Sequence, residues 1–123
     1  TENLSEINTS LLKEICKLLQ IHTEFLIFSK MDLSLGEINE PGDWALEIAK
    51  AVGATEYINP PGGVQLFSED DFAKEDIKLT IQSFQNLEYQ TGSYNFVEGL
   101  SIIDVLMWNS SSDIKKYLDT LRS

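Results

Sequence analysis

The sequence is poor in the residues that build disulfides, metal centres and nucleophilic triads. Its 123 residues include one cysteine, Cys16, and one histidine, His22. A lone cysteine cannot close an internal disulfide, which fits the reducing cytoplasm, and these two residues cannot supply a zinc site, so no metal is predicted. A Ser-His-Asp triad would have to use His22, which is expected at the amino end of a strand. Ligands of open parallel sheets gather at the opposite, carboxyl end, which argues against that triad.

Basic residues and long apolar runs are also scarce. The chain has nine lysine and arginine residues and twenty acidic ones. The resulting formal net charge of -11 repels polyphosphates and anionic lipid head groups. Nucleic acid and membranes are therefore not expected as partners. The longest apolar runs, residues 25–28 and 102–108, are far shorter than the ~20 residues of a membrane-spanning helix, and Asp104 interrupts the second. The chain also lacks a GxGxxG fingerprint and a lysine-bearing phosphate loop, so motifs identify no cofactor.

Hydrophobic periodicity predicts alternating helices and strands. Apolar residues at helical spacing predict helices over about residues 3–20 and 43–52, a short helix from Ser68, and two more that begin near Ser101 and Ser111. Asp43 is expected to cap the second helix. Branched and aromatic residues predict strands over residues 23–28, 55–59 and 77–84, the first of them central and covered on both faces. Strands separated by helices cannot be joined as tight hairpins. We therefore expect one α/β domain over residues 1–123, with a three-layer α/β/α architecture and a small, mainly parallel sheet.

A glycine-rich loop follows the second predicted strand. Asn59 is followed by two prolines and then by Gly62 and Gly63, which brings bare backbone to the carboxyl rim of the sheet. Successive glycine N–H groups can form a concavity that holds a phosphate or carboxylate. The alternative is a simple chain reversal, and spacing alone favours that alternative.

Two further segments are predicted to lie near the same rim. Residues 85–99 lack a clear period, and Gln90 within them is expected to close over a bound ligand. Ser101 is placed to cap a helix, and Asp104 occupies the capping-box position three residues on. Asp104 could alternatively direct its carboxylate into the ligand crevice. The predicted ligand-binding residues are therefore Asn59, Gly62, Gly63, Gln90, Ser101 and Asp104.

Several strings in the chain resemble the WbqC-like family, bacterial proteins associated with surface-polysaccharide gene clusters. The strings are ATEYINPPGG at residues 54–63, YQ at 89–90, GLSIIDVL at 99–106 and CKLLQIHTE at 16–24. Family members usually carry an N-terminal half that opens with a Gln-Pro-aromatic signature, and this sequence does not contain one. The resemblance therefore implies that the chain is either the C-terminal half of a longer WbqC-like protein or a truncated relative.

The resemblance implies a biological setting more firmly than a reaction. Our leading hypothesis is a cytoplasmic transferase-like protein of lipopolysaccharide or O-antigen precursor biosynthesis. Its ligand would be an anionic or nucleotide-activated sugar, and catalytic residues are not identified. The alternative is a non-catalytic assembly domain whose first helix, rich in leucine and isoleucine, pairs with another copy or with the missing N-terminal half.

Overall fold

Five helices and two strands make up the regular structure of residues 3–121, the part of the chain that this computed structural model describes. In chain order they are α1 (Leu4–Leu18), α2 (Asp43–Ala51), β1 (Glu56–Asn59), α3 (Glu69–Lys74), β2 (Lys78–Ile81), α4 (Ile102–Trp108) and α5 (Ser111–Thr120). Short 3-10 turns lie at Phe28–Lys30 and Val64–Leu66. Within the described residues, no helix is both long and apolar enough to cross a membrane.

The chain divides into two compact units. Unit 2 is Met31–Gln85 and contains α2, β1, α3 and β2, while unit 1 combines the residues up to Lys30 with those from Asn86 onward. Unit 1 therefore holds α1, α4 and α5, with Leu19 and Ile114 as its most buried side chains. The organisation of residues 1–123 as one domain, and its place as half of a longer protein, stay predictions.

The sheet of unit 2 consists of β1 and β2 in parallel. Glu56 lies opposite Lys78 at the amino end, and Asn59 lies opposite Ile81 at the carboxyl end. The crossover between the strands contains α3, which packs against β2, while α2 packs against β1. This arrangement confirms the α/β class and the small parallel sheet.

An apolar cluster fixes the helices of unit 2 to its strands. Ala49 of α2, Phe72 of α3 and Ile77 are each no more than 4% exposed. The ring of Phe72 stacks on Tyr57 of β1 at 5.4 Å and meets Phe67 edge-on at 6.2 Å. Both ends of the loop between β1 and α3 are thus anchored in one core.

The strand predicted over residues 23–28 is wrong. This segment has no regular structure before the 3-10 turn that starts at Phe28, and no strand pairs with it in the described part of the chain. Leu26 is 58% exposed and Phe28 is 45% exposed, so the two covered faces expected of a central strand are missing. A strand needs a hydrogen-bonded neighbour, and the only two strands of residues 3–121 pair with each other in the other unit.

Most predicted helix starts are confirmed, and one is corrected. Ser68 and Ser101 are N-caps, as predicted, and the last helix is capped by Ser110. Asp43 does not cap α2 as we expected, since it is the first helical residue and Gly42 is the N-cap. The Asp43 carboxylate instead accepts the backbone N–H groups of residues 39 and 40, both at 2.8 Å, and fastens the segment that enters the helix.

Candidate functional site

The glycine loop after β1 forms a tight turn at the carboxyl edge of the sheet. The Val64 N–H donates to the Pro61 carbonyl at 3.3 Å, which closes a four-residue turn with Gly62 and Gly63 at its centre. Gly63 has φ 86° and ψ 9°, the values of the third residue of a type II turn. A side chain would be strained in that left-handed conformation, so the turn requires glycine at this position.

The Asn59 side chain holds this turn in shape. Its Nδ2 donates to the Pro60 carbonyl at 2.8 Å and to the Gly62 carbonyl at 3.3 Å. Its Oδ1 lies 3.4 Å from the Tyr57 hydroxyl, which donates to it. The amide group that we predicted as a ligand contact is therefore engaged with the loop itself, and the role that the structure gives it is support of the turn.

The two central N–H groups of the turn have no hydrogen-bond partner in the described residues. Neither the Gly62 nor the Gly63 N–H donates a hydrogen bond to any group of residues 3–121. Gly62 is exposed, and a Cβ atom added to it would meet no heavy atom within 4 Å. Beside the turn, the Gln82 N–H donates to the Asn59 carbonyl at 2.9 Å, so the ends of both strands meet at this edge. Two N–H donors without a partner in residues 3–121 thus lie at the edge predicted from the sequence, one of them on the exposed Gly62.

A small cavity of about 260 Å³ borders the chain that follows this turn. Gly42 lies in its wall, and a Cβ atom on Gly42 would stand 1.9 Å from the Leu66 carbonyl oxygen. The cavity is also lined by three carboxylate side chains, Glu40, Asp43 and Asp71. Their charge disfavours an anion in this cavity.

The other predicted site residues belong to unit 1. The Ser101 hydroxyl accepts the Ile103 N–H at 3.2 Å and caps α4. Asp104 does not complete a capping box in the described residues, because its Oδ2 accepts the Tyr89 hydroxyl at 2.6 Å. Gln90 follows Tyr89 directly and is exposed. The structure therefore gathers Tyr89, Ser101 and Asp104 around the start of α4, while Asn59, Gly62 and Gly63 form the turn in unit 2.

A model of the WbqC-like protein family matches residues 1–116. The chain belongs to the WbqC-like protein family. No curated protein and no solved structure gives a significant match. The matched range includes all the strings that carried the resemblance, and with them both the glycine turn and the Tyr89–Asp104 pair.

Tyr89 is the residue of the WbqC-like chain that reasoning from the sequence missed. Its ring packs edge-on against Phe96 at a centroid distance of 5.0 Å, and its hydroxyl reaches Asp104. Fifteen residues separate the two partners of this hydrogen bond, and the segment between them has no period that could reveal it. Within residues 3–121, no group of three or more histidine, cysteine or acidic side chains is placed to hold a metal ion.

The Tyr89–Asp104 pair predicts a measurable tyrosine titration. The hydrogen bond to Asp104, followed by desolvation and the charge of that carboxylate, raises the pKa of Tyr89 above its ordinary value of 10.0. Because the folded-state pKa is raised, the contact stabilises the fold below pH 10.0 and loses that effect as the pH rises through the folded-state value. We expect Asp104→Asn to move one of the four tyrosines to a lower titration pH in an ultraviolet absorbance titration.

Asp71→Asn is the matched control for this titration. It also removes one carboxylate, but that carboxylate pairs with Lys74 at 2.6 Å in unit 2. We expect its tyrosine titration to coincide with that of the unsubstituted protein. Coincident curves for Asp104→Asn and the unsubstituted protein would contradict the pairing of Tyr89 with Asp104.

Proposed function

We propose that this WbqC-like protein is a cytoplasmic transferase-like protein of bacterial surface-polysaccharide precursor biosynthesis. Its ligand is an anionic or nucleotide-activated sugar of the lipopolysaccharide or O-antigen pathway. The observation that carries the proposal is the turn at Gly62 and Gly63, where two consecutive amides lack a partner in the described residues and Gly62 is exposed. Membership in the WbqC-like family supports the biological setting.

The chemistry of the turn suits an anion in a protein of strongly negative charge. Backbone N–H groups donate hydrogen bonds without the long, flexible stem of a lysine side chain, and the turn is already held in shape by Asn59. A phosphate bound there would therefore require little ordering of the protein, which lowers the entropic cost of binding. In unit 1, Gln90, Ser101 and Asp104 stay predicted ligand contacts in their own right.

The test is a titration of thermal stability with a nucleotide-activated amino sugar such as UDP-N-acetylglucosamine. A ligand present at about 100 times its dissociation constant should raise the unfolding free energy by about 2.7 kcal/mol. Two variants at one position probe the turn. Gly62→Pro deletes the amide hydrogen and Gly62→Ala keeps it, and the second residue of a type II turn accepts proline.

We expect Gly62→Ala to retain the ligand-induced shift and Gly62→Pro to lose most of it. A Cβ atom at Gly62 meets no heavy atom within 4 Å, so Gly62→Ala should fold normally. Thermal melting without ligand checks the folding of both variants. A shift of equal size in both variants would refute the role of the Gly62 amide. The absence of any shift across a panel of nucleotide sugars would count against the proposed ligand class.

The alternative function is a non-catalytic assembly domain, and the surface of α1 favours it. Leu4, Leu11 and Leu18 recur every seven residues and are 69%, 55% and 53% exposed. Leucines at this spacing form a stripe that a second helix can cover. In this alternative the protein sediments as a dimer, or binds a separate N-terminal half, and its melting temperature responds to no nucleotide sugar.

A further inference from the structure

An open groove of about 770 Å³ lies along the last turns of α1 and the segment that follows it, all within unit 1. We call it the α1 groove. Lys13 and Lys17 line it from the helix, and Gln20, His22 and Thr23 line it from the chain beyond. These five side chains are exposed, and all of them carry hydrogen-bonding groups.

The two lysines of the groove are exceptional in this acidic chain. Six of the eight lysines form ion pairs with carboxylates. Lys13 and Lys17 are the two that have no ion-pair partner anywhere in residues 3–121, and both lie in the α1 groove. Lysines four residues apart project from the same side of a helix. The groove therefore holds two ammonium groups and the single carboxylate of Glu24, an excess of positive charge in a protein whose net charge is -11.

Interactions within the protein explain the positions of Lys13 and Lys17 only in part. Lys17 lies in the last turn of α1, where a cation is favoured by the helix dipole. The Lys13 ammonium stands 5.9 Å from the centre of the Phe25 ring, which is a cation–π contact. Neither interaction neutralises a full charge, and neither explains why the side chains of Gln20 and Thr23 line the same groove.

We infer that the α1 groove binds a phosphate monoester of a polyol, of which a sugar phosphate is the simplest member. A phosphate monoester carries a charge of about −1.5 to −2 at neutral pH, so each ammonium group can pair with one of its oxygens. Gln20 and Thr23 supply neutral donors to the phosphate oxygens. Glu24 also lines the groove, and its carboxylate can accept a hydrogen bond from a hydroxyl group but would repel a second phosphate. This site is separate from the glycine turn and does not depend on the function proposed for it.

The sole cysteine provides a site-specific reporter of binding. Cys16 lines the α1 groove and is partly buried, so an occupant should shield it from reagents. We would measure the rate at which N-ethylmaleimide modifies the full chain, by mass spectrometry, with increasing glucose 1-phosphate, inorganic phosphate or glucose. We expect saturable protection by glucose 1-phosphate, weaker protection by inorganic phosphate and none by glucose.

Charge-matched double variants test the lysines. Lys13→Gln with Lys17→Gln removes the two groove cations, while Lys74→Gln with Lys116→Gln removes two cations that are paired and exposed elsewhere. Losing two charged contacts should weaken glucose 1-phosphate binding by about tenfold or more in the groove variant. We expect the control variant to stay within about twofold of the unsubstituted protein, because neither control lysine lines the groove and each already pairs with a carboxylate. Protection is compared with and without ligand in each variant, which removes any change in the reactivity of Cys16 itself.

Three results would overturn the proposal in whole or in part. Absence of saturable protection by both phosphates would overturn the site. Equal weakening in the two double variants would show that net charge, and not the groove, governs binding. Equal protection by inorganic phosphate and glucose 1-phosphate would overturn the proposed hydrogen bond from a sugar hydroxyl to the Glu24 carboxylate. Gly62→Pro should leave Cys16 protection unchanged, so failure of the groove and failure of the glycine turn are distinguishable.

Discussion

Replacing Phe72 with alanine should lower the unfolding free energy of this protein by about 3–5 kcal/mol, the usual cost of truncating a buried phenylalanine. Phe72 is 2% exposed and lies between Ala49 and Ile77 in the core of unit 2. Its ring also contacts Tyr57 and Phe67 at centroid distances of 5.4 and 6.2 Å. Truncation leaves a cavity that α2, β1 and α3 cannot all close, because each is fixed by its own contacts.

The same substitution should also disturb the glycine turn. Tyr57 lies two residues before Asn59, and Phe67 follows the 3-10 turn that begins after Gly63. Because Phe72 touches both aromatic rings, it fixes the two ends of the loop that carries the unpaired amides. We therefore expect Phe72→Ala to weaken any ligand of the turn as well as to destabilise the fold.

Urea unfolding followed by tryptophan fluorescence would measure the loss. The chain has two tryptophans, and Trp108→Phe leaves Trp44 of α2 as the only reporter, which lies in unit 2. Phe84→Ala is the matched control, since Phe84 belongs to the same unit but is 63% exposed. It should change the unfolding free energy by less than about 0.5 kcal/mol, as surface substitutions usually do. Similar losses for the two phenylalanines would contradict the core described for unit 2.

Local signals in the sequence predicted much of this fold. Helices were predicted because the apolar period and the capping serines act within a few residues of each other, as at Ser68 and Ser101. The chain reversal at Gly62 and Gly63 was predicted for the same reason, because the glycines that permit it lie within the turn itself. Gly63 takes the left-handed conformation. The parallel pairing of β1 with β2 followed from the helix placed between them.

Features that depend on distant contacts were not predicted. Residues 23–28 have the composition of a buried strand, but composition does not reveal whether a neighbouring strand exists. The bond between Tyr89 and Asp104 joins an aperiodic segment to a helix start. The charge of the α1 groove was equally hidden, because the unpaired state of Lys13 and Lys17 depends on where every carboxylate of the folded chain lies.

The effect of a Cβ atom at Gly42 is another property that the sequence does not reveal. Gly42 has φ −70° and ψ −24°, a helical conformation that alanine adopts easily. At such a position Gly→Ala normally stabilises a protein by about 0.4–1 kcal/mol, because the unfolded chain loses entropy. Here the new Cβ would stand 1.9 Å from the Leu66 carbonyl oxygen and 3.0 Å from its carbon, both of them backbone atoms.

Gly42→Ala should therefore destabilise the protein, against the usual sign, by about 1–3 kcal/mol, the typical cost of overpacking. Relief of the clash requires the entry to α2 or the 3-10 turn at Val64–Leu66 to move, and that turn starts directly after Gly63. Gly42→Ala should consequently weaken anion binding at the glycine turn. Glucose 1-phosphate bound in the α1 groove should still protect Cys16 of this variant from N-ethylmaleimide. Urea unfolding and the nucleotide-sugar titration would measure both effects.

Gly62→Ala is the control that separates the steric clash expected at Gly42 from the general effect of replacing a glycine with alanine. A Cβ atom there meets no heavy atom within 4 Å, and the backbone of Gly62 is not in the left-handed region. Its unfolding free energy should stay within about 0.5 kcal/mol of the unsubstituted protein. A Gly42→Ala protein as stable as this control would mean that the entry to α2 does not press on Leu66. In that case the position of the turn would rest on Asn59 and the core around Phe72 alone.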